Sequence, residues 1–182
     1  MPNDRLRDGR DRWGYFVRHN GTHDTGIAAI GNVGVGLNLN RVSDNDYWRD
    51  FTGRGLSLTT RLLANDGAVS WGRGDFSASV RALKWQTLQD VSAPIVPPYD
   101  RLPQVAARWG RINDRGFDYS VEGDFTRFRA DSFWTRQPNA DRTFMQAQVA
   151  RPFTRPWGFF TPKVQLHASQ YQFDRTLKDG RT

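Results

Sequence analysis

Strict two-residue alternation of apolar and polar side chains, sustained over unusually long segments, constrains this chain more than any other feature. From Asn32 to Asn40, Val33, Val35, Leu37 and Leu39 share one face, and Asn32, Gly34, Gly36, Asn38 and Asn40 share the other. From Phe117 to Thr126, Phe117, Tyr119, Val121, Gly123 and Phe125 oppose Asp118, Ser120, Glu122, Asp124 and Thr126. Phe76, Ala78, Val80 and Ala82 oppose Asp75, Ser77, Ser79 and Arg81, and Val164, Leu166 and Ala168 oppose Lys163, Gln165, His167 and Ser169. Side chains point to opposite faces at every step of a strand, so this period specifies sheets with one wet and one dry face. Strands are predicted over 12–23, 26–41, 54–71, 74–89, 103–113, 116–131, 142–152 and 159–174. Most are about 9–16 residues long, against about 5–6 for soluble strands and about 9–11 for a strand that crosses a bilayer.

Length and alternation together predict an all-β fold over residues 1–182: about eight strands of an antiparallel, up-and-down transmembrane β-barrel. Composition agrees. Apolar residues are only 37% of the 182 residues, yet aromatics reach 13%, which suits rings at an apolar–polar boundary better than an aliphatic core. The longest strictly apolar run is Ile27–Ile30, so no segment can be a transmembrane helix. No segment longer than about ten residues has helical periodicity. The formal charge of +7 is carried almost wholly by arginine, with lysine only at 84, 163 and 178. Scattered singly, these arginines read first as solvated strand faces and loops; as forks for phosphate they are the sharper alternative. There is no cysteine to staple or ligate. Met1-Pro2-Asn3-Asp4-Arg5 opens into charge with no apolar leader, so the natural start is expected further upstream and the chain to be a piece of a longer protein.

Connectors differ in kind. Arg73-Gly74-Asp75 and Asp114-Arg115-Gly116 are turn-like, whereas 44–53, 90–102 and 133–141 are longer and carry Asp, Pro and aromatics. Outer-membrane barrels have short turns at one end and long loops at the other, although the placement along this chain does not read as perfectly alternate. At Ala82-Leu83 the apolar phase slips, which a β-bulge in that strand would explain. Asn65-Asp66-Gly67 reads as a turn or bulge within the third strand.

Chemistry-bearing motifs are few. His19 and His23 share a strand face but are about 13 Å apart along the backbone, too far to share a zinc ion without a bend. Gly31-x-x-Gly34-x-Gly36 inverts the dinucleotide-binding order and lies in a strand, where small wall residues account for it. Glu122 and Asp124, roughly 7 Å apart, have the separation of a glycosidase pair, but Asp118 and Ser120 continue the same polar stripe. Asp44-Asn45-Asp46 with Asp50 lacks the glycine and terminal glutamate of a calcium loop and reads as Asx-turn chemistry. No catalytic, cofactor or metal residue is predicted. The candidate functional residues are polar wall positions that would face a lumen: Asn32, Asn38, Arg81, Asp118, Ser120, Glu122, Asp124, Lys163 and Gln165.

Four ordered segments carry a resemblance. Arg41-Val42-Ser43-Asp44-Asn45-Asp46-Tyr47-Trp48-Arg49-Asp50-Phe51 resembles a V-S-D-x-x-Y-F-x-D segment, with Trp48 where Phe is usual. Trp85-Gln86-Thr87-Leu88-Gln89-Asp90 resembles a Q-T-L-Q-D strand end, and Pro97-Pro98-Tyr99-Asp100-Arg101-Leu102-Pro103-Gln104 a P-P-Y-x-R-x-P-Q loop. Trp157-Gly158 through Thr161-Pro162-Lys163 and on to Tyr171 resembles a later G-x-x-x-P-K…Y hairpin. Together they resemble the LptD (OstA, organic-solvent-tolerance) family of Gram-negative LPS-assembly barrels over about residues 2–174. The resemblance implies a large outer-membrane barrel that inserts lipopolysaccharide into the outer leaflet. It implies an LptE-type lipoprotein plug and an LptA-type periplasmic bridge reached through an N-terminal domain outside this chain, with outer-membrane lipid around the wall. It implies no enzyme activity, no cofactor and no nucleic acid. Arg81 would meet lipopolysaccharide phosphate. Two other classes compete: a soluble β-sandwich binding carbohydrate or nucleic acid, and another outer-membrane porin or enzyme barrel.

Overall fold

The computed structural model describes residues 11–47 and 61–175. Trp48, Asp50 and the first part of predicted strand 54–71 lie outside the described residues. Eight long strands form one antiparallel sheet: β1 (Gly14–Asp24), β2 (Asn32–Val42), β3 (Leu62–Arg73), β4 (Phe76–Thr87), β5 (Asp100–Asp114), β6 (Phe117–Arg129), β7 (Ala140–Ala150) and β10 (Lys163–Phe173). Spatial order follows chain order, β1-β2-β3-β4-β5-β6-β7-β10, and the sheet is open. Between β7 and β10 the chain makes a small hairpin of its own, β8 (Phe153–Arg155) with β9 (Gly158–Phe160). The helix among the described residues is the single turn α1 (Ser132–Thr135).

Register sorts the side chains. The row Val35–Val69–Val80–Val105–Phe125 runs across five strands on one face, and Gly36–Ala68–Arg81–Gln104–Thr126–Arg142–Tyr171 runs across seven on the other. On the first face, Val69, Val80, Val105, Val121, Met145, Val149, Val164 and Leu166 are 40–72% exposed. Apolar side chains held outward in that number lack a protein core to cover them. Buried apolar side chains among the described residues are instead few and mostly peripheral: Val42, Leu63, Leu83, Leu88, Ala140 and Ala150. Polar pairs bound the apolar band. Arg127 meets Asp141 at 3.2 Å at one edge and Arg111 meets Asp75 at 2.8 Å at the other. Beside that second edge lie Trp71 and Phe76, with ring centroids 5.8 Å apart, and Phe117 and Tyr119, 6.0 Å apart.

The strands are staggered. Within the row just given, Gly36 lies six residues from the end of β2 at Val42, whereas Tyr171 lies two from the end of β10 at Phe173. Strands that step past one another in this way run oblique to the sheet's long axis, as closure into a barrel requires.

As the sequence predicted, connectors are not perfectly alternate. Three links of ten residues or more (43–61, 88–99 and 130–139) emerge at one end of the sheet, while the twelve-residue 151–162 link does not. Gly74-Asp75 and Arg115-Gly116 close two-residue turns at the other, where the 25–31 and 151–162 links also lie. Gly74 and Gly116 have φ of 58° and 85°, conformations that hairpin turns need and glycine adopts without strain.

Three local expectations are corrected. Asn65-Asp66-Gly67 makes neither turn nor bulge, because β3 pairs with β4 without interruption from Leu62 to Arg73. The bulge near Ala82-Leu83 is in the partner strand: Arg81 pairs with Gln104 and Leu83 with Arg101, so the extra residue is in β5, at Leu102-Pro103. β4 keeps its alternation, and only the surroundings of its faces change as it passes the polar edge of the band. Finally, Ile27–Ile30, placed by the sequence in a strand over 26–41, forms the turn before β2, closed by bonds from the amides of Ile30 and Gly31 to the Ile27 carbonyl.

Candidate functional site

The face opposite the apolar band is polar, and a cavity of about 800 Å³ opens on it across β2–β7. Serines and glycines (Gly34, Ser70, Gly72, Ser77, Ser79) line one side of it; Gln104, Arg108, Glu122, Asp124, Arg142 and Phe144 line the other. A Cβ on Gly34 would come 2.5 Å from the Ser70 hydroxyl, so a larger residue there needs that hydroxyl to turn aside.

Charged residues in and beside the cavity include two closed groups and one open pair. Asp124 accepts hydrogen bonds from Arg142, from Gln104 at 3.0 Å and from the Thr126 hydroxyl at 2.9 Å. The Arg142 guanidinium also lies over the Phe128 ring, 5.6 Å from its centroid. Arg81 forks onto both oxygens of Asp66, its Nε donating at 2.8 Å. Arg108 and Glu122 are direct cross-strand partners, yet neither makes an ion pair with a described residue. A guanidinium and a carboxylate left solvated on a polar face remain available to a passing anion or cation.

At the long-loop end the site is walled by a different kind of structure. Beyond Asn38–Asp66, β2 leaves β3. Side-chain amides replace the missing ladder: Asn65 Oδ1 accepts from the Asn40 amide at 3.1 Å, while Gln86 accepts from the Val42 amide at 3.0 Å and donates to the Val42 carbonyl at 2.7 Å. Val42, Leu63 and Leu88 pack in the gap against Tyr47. Arg12, only 3% exposed, forks onto Asp44 with both bonds at 2.9 Å. Gln89 clasps the Ile95 amide and carbonyl at 3.1 and 2.9 Å. Asp100 accepts from the Trp85 amide at 2.7 Å, and the Tyr99 hydroxyl donates to the Pro138 carbonyl at 2.8 Å.

Comparison with known proteins places this sheet. A family model described as "LptD: LPS transport system D" matches residues 10–182. The chain belongs to the LptD family. A protein named LPS-assembly protein LptD from Polaromonas sp. is 60% identical over 186 residues, covering 99% of this chain and 22% of that protein. Those of Albidiferax ferrireducens and Ralstonia nicotianae are 55% and 35% identical, over 99% and 98% of this chain. The chain spans 21–23% of the length of these three LptD relatives.

In this LptD sheet the nine polar candidates all occupy the cavity-bearing face. Asn32 and Asn38 share β2 parity with Gly36; Arg81 pairs with Ala68 and Gln104. Asp118, Ser120, Glu122 and Asp124 are on β6, and Lys163 and Gln165 pair with Ala150 and Gln148 beside it. Asp124 and Glu122 are drawn into the cavity; Asp118 and Ser120 line a second depression nearer the short turns, and Lys163 and Gln165 lie toward the β10 edge. The sequence reading missed Gln104, Arg108 and Arg142, and set Thr126 on the polar stripe without making it a candidate. The alternation of Arg142, Gln146 and Gln148 against Met145, Ala147 and Val149 is present in the sequence, interrupted by Thr143 and Phe144.

The histidine reading is corrected. His19 and His23 lean toward each other over Gly21 and bring their Nε2 atoms to 2.8 Å with stacked rings. Among the described residues no group of three or more metal-ligating side chains forms. In the Asp44 motif, Asp44 bonds Arg12, the Ser43 hydroxyl and the Asp46 amide, which is the Asx-turn arrangement.

Proposed function

We propose that residues 1–182 are part of the LptD barrel domain and form a stretch of wall in the outer-membrane translocon that inserts lipopolysaccharide into the outer leaflet. The observation that carries this reading is the division of eight staggered strands into an uncovered apolar face and a polar face holding a cavity. A bilayer is the solvent that makes outward valines favourable, and a wet lumen the one that keeps Asn, Gln, Asp and Arg solvated. A soluble sandwich would bury the valine row against a second sheet. Asn32, Asn38, Arg81, Asp118, Ser120, Glu122, Asp124, Lys163 and Gln165 then face the lumen. The long links face outward and the two-residue turns face the periplasm, as in other outer-membrane barrels.

Within that lumen the cargo's phosphates and sugars meet the wall. Arg81 and Arg142 are already held by carboxylates, so Arg108 is the phosphate contact in place of Arg81, and the Asp66–Arg81 and Asp124–Arg142 pairs act as polar lining. The wall carries no reaction; its work is transport and assembly, with no cofactor and no nucleic acid. An LptE-type lipoprotein fills the lumen and an LptA-type bridge delivers cargo through a domain outside this chain. The test is a photocrosslinking scan through 120–125 in the full-length protein in cells. Lipopolysaccharide or plug adducts are expected at 120, 122 and 124, and phospholipid adducts at 121, 123 and 125. Adducts without that alternation would overturn the reading.

A further inference from the structure

Two links at the short-turn end are two-residue polar turns, whereas the 151–162 link is long and aromatic. Its β8–β9 hairpin presents Trp157 at 87% exposure, Phe159 at 85% and Phe160 at 67%. From Ala150 to Lys163 it has three cations, Arg151, Arg155 and Lys163, and no acidic residue. Its position is set by Arg151. That guanidinium lies 4.9 Å from the centroids of both Phe117 and Phe153, and Phe153 stacks on Phe160 with centroids 6.5 Å apart. The Arg151 amide also donates to the Pro162 carbonyl at 3.0 Å, closing the base of the link. Phe117 begins the apolar stripe of β6, on the same face as Tyr119 and Val121. The hairpin is thus continuous with the apolar band, beyond its short-turn edge.

We infer that this hairpin is a membrane-interface anchor, inserting Trp157 and Phe159 among the headgroups of anionic phospholipid on the short-turn side of the bilayer. Three observations select lipid over a protein partner. The aromatic surface continues the band that the bilayer already covers on the reading above. Its rings are accompanied by cations alone, which complement anionic headgroups. And Trp beside Arg is the pairing that favours the boundary between acyl chains and water, where rings lose contact with water while guanidinium groups keep phosphate. The hairpin would then fix the depth of this part of the wall.

The inference rests on the outer-membrane reading, so its test carries controls for that reading. Nitroxide probes are placed singly at positions 157, 159, 80 and 79 of the full-length protein in nanodiscs of phosphatidylethanolamine with phosphatidylglycerol. Collision with oxygen is compared with collision with a water-soluble nickel chelate. Position 80 is expected to favour oxygen and position 79 nickel; failure of that pair would overturn the wall reading itself. With the pair in place, positions 157 and 159 are expected to show several-fold less nickel collision than a probe at Asp75, in the polar turn. Full nickel access at 157 overturns the anchor, and so does exclusion of both reagents, which would mean a protein covers it. Arg155→Glu, which leaves every ring in place, is expected to raise nickel access at 157; an unchanged value would remove the role given to anionic headgroups.

Discussion

The middle of the sheet and its long-loop end are built from the same strands but are specified differently. In the middle, whole rows do the work: any single position in Val35–Val69–Val80–Val105 needs only to be apolar, and its neighbours on the other face only to be small or polar. At the loop end single side chains do the work. Gln86 alone supplies two bonds to Val42, and Asp44 forks onto the nearly buried Arg12. The lesson is that tolerance to substitution should differ sharply between regions only a few residues apart on one strand.

The largest effect is expected from Asp44→Ala. It removes the carboxylate that holds the nearly buried Arg12 by two bonds, and should lower the unfolding free energy of the full-length protein in detergent, read by urea titration, by about 3–5 kcal/mol. A change below about 1 kcal/mol would break the comparison at its root. Next is Val80→Arg against Ser79→Arg, adjacent residues on opposite faces. Folding into liposomes should lose about 2–4 kcal/mol for the first and less than about 0.5 kcal/mol for the second. Equal losses would mean the two faces share one solvent. Gln86→Ala should cost about 2 kcal/mol by removing two hydrogen bonds, with faster amide exchange at Val42 as its local signature. Smallest is Asp124→Asn. Asp124 is 13% and Arg142 31% exposed, and an amide keeps part of the bonding, so the change should cost about 1 kcal/mol, and high salt should shrink the difference.

That division also explains what the sequence revealed. β2 and β6 were legible because each face meets one solvent along most of its length, so the period-2 signal has no interruptions. β4 was harder to read past Ala82, where the strand leaves the apolar band: Leu83 turns inward to burial while Lys84 takes the outward position. A one-residue bulge in a partner strand, at Leu102-Pro103, leaves no mark in β4 itself. The loop-end pins were invisible to pattern reasoning because a lone Arg12 or Gln86 has no period. Two pointers stand in the sequence: the Asx-turn pattern at Asp44, and the family-like segments Ser43-Asp44 and Gln86-Thr87-Leu88-Gln89-Asp90, which hold the ends of β2 and β4 together. The polar site was legible in its parity but not in its pairing, since nothing along the chain tells Arg81 to choose Asp66, or Arg142 to choose Asp124.

The stagger of the strands has one more consequence. On the polar face, Gly34, Ser70, Ser79, Ala106, Asp124, Phe144 and Ser169 are neighbours across consecutive strands, yet Gly34 is two residues from the short-turn end of its strand and Ser169 is six. The polar row is cut like a screw thread. Counted from the long-loop ends, the row stands eight residues down at Gly34, Ser70 and Ser79 and four down at Phe144 and Ser169. A headgroup passed sideways across the wall would finish nearer the long loops at β10 than it began at β2, turning part of a rotation about the barrel into travel along its axis.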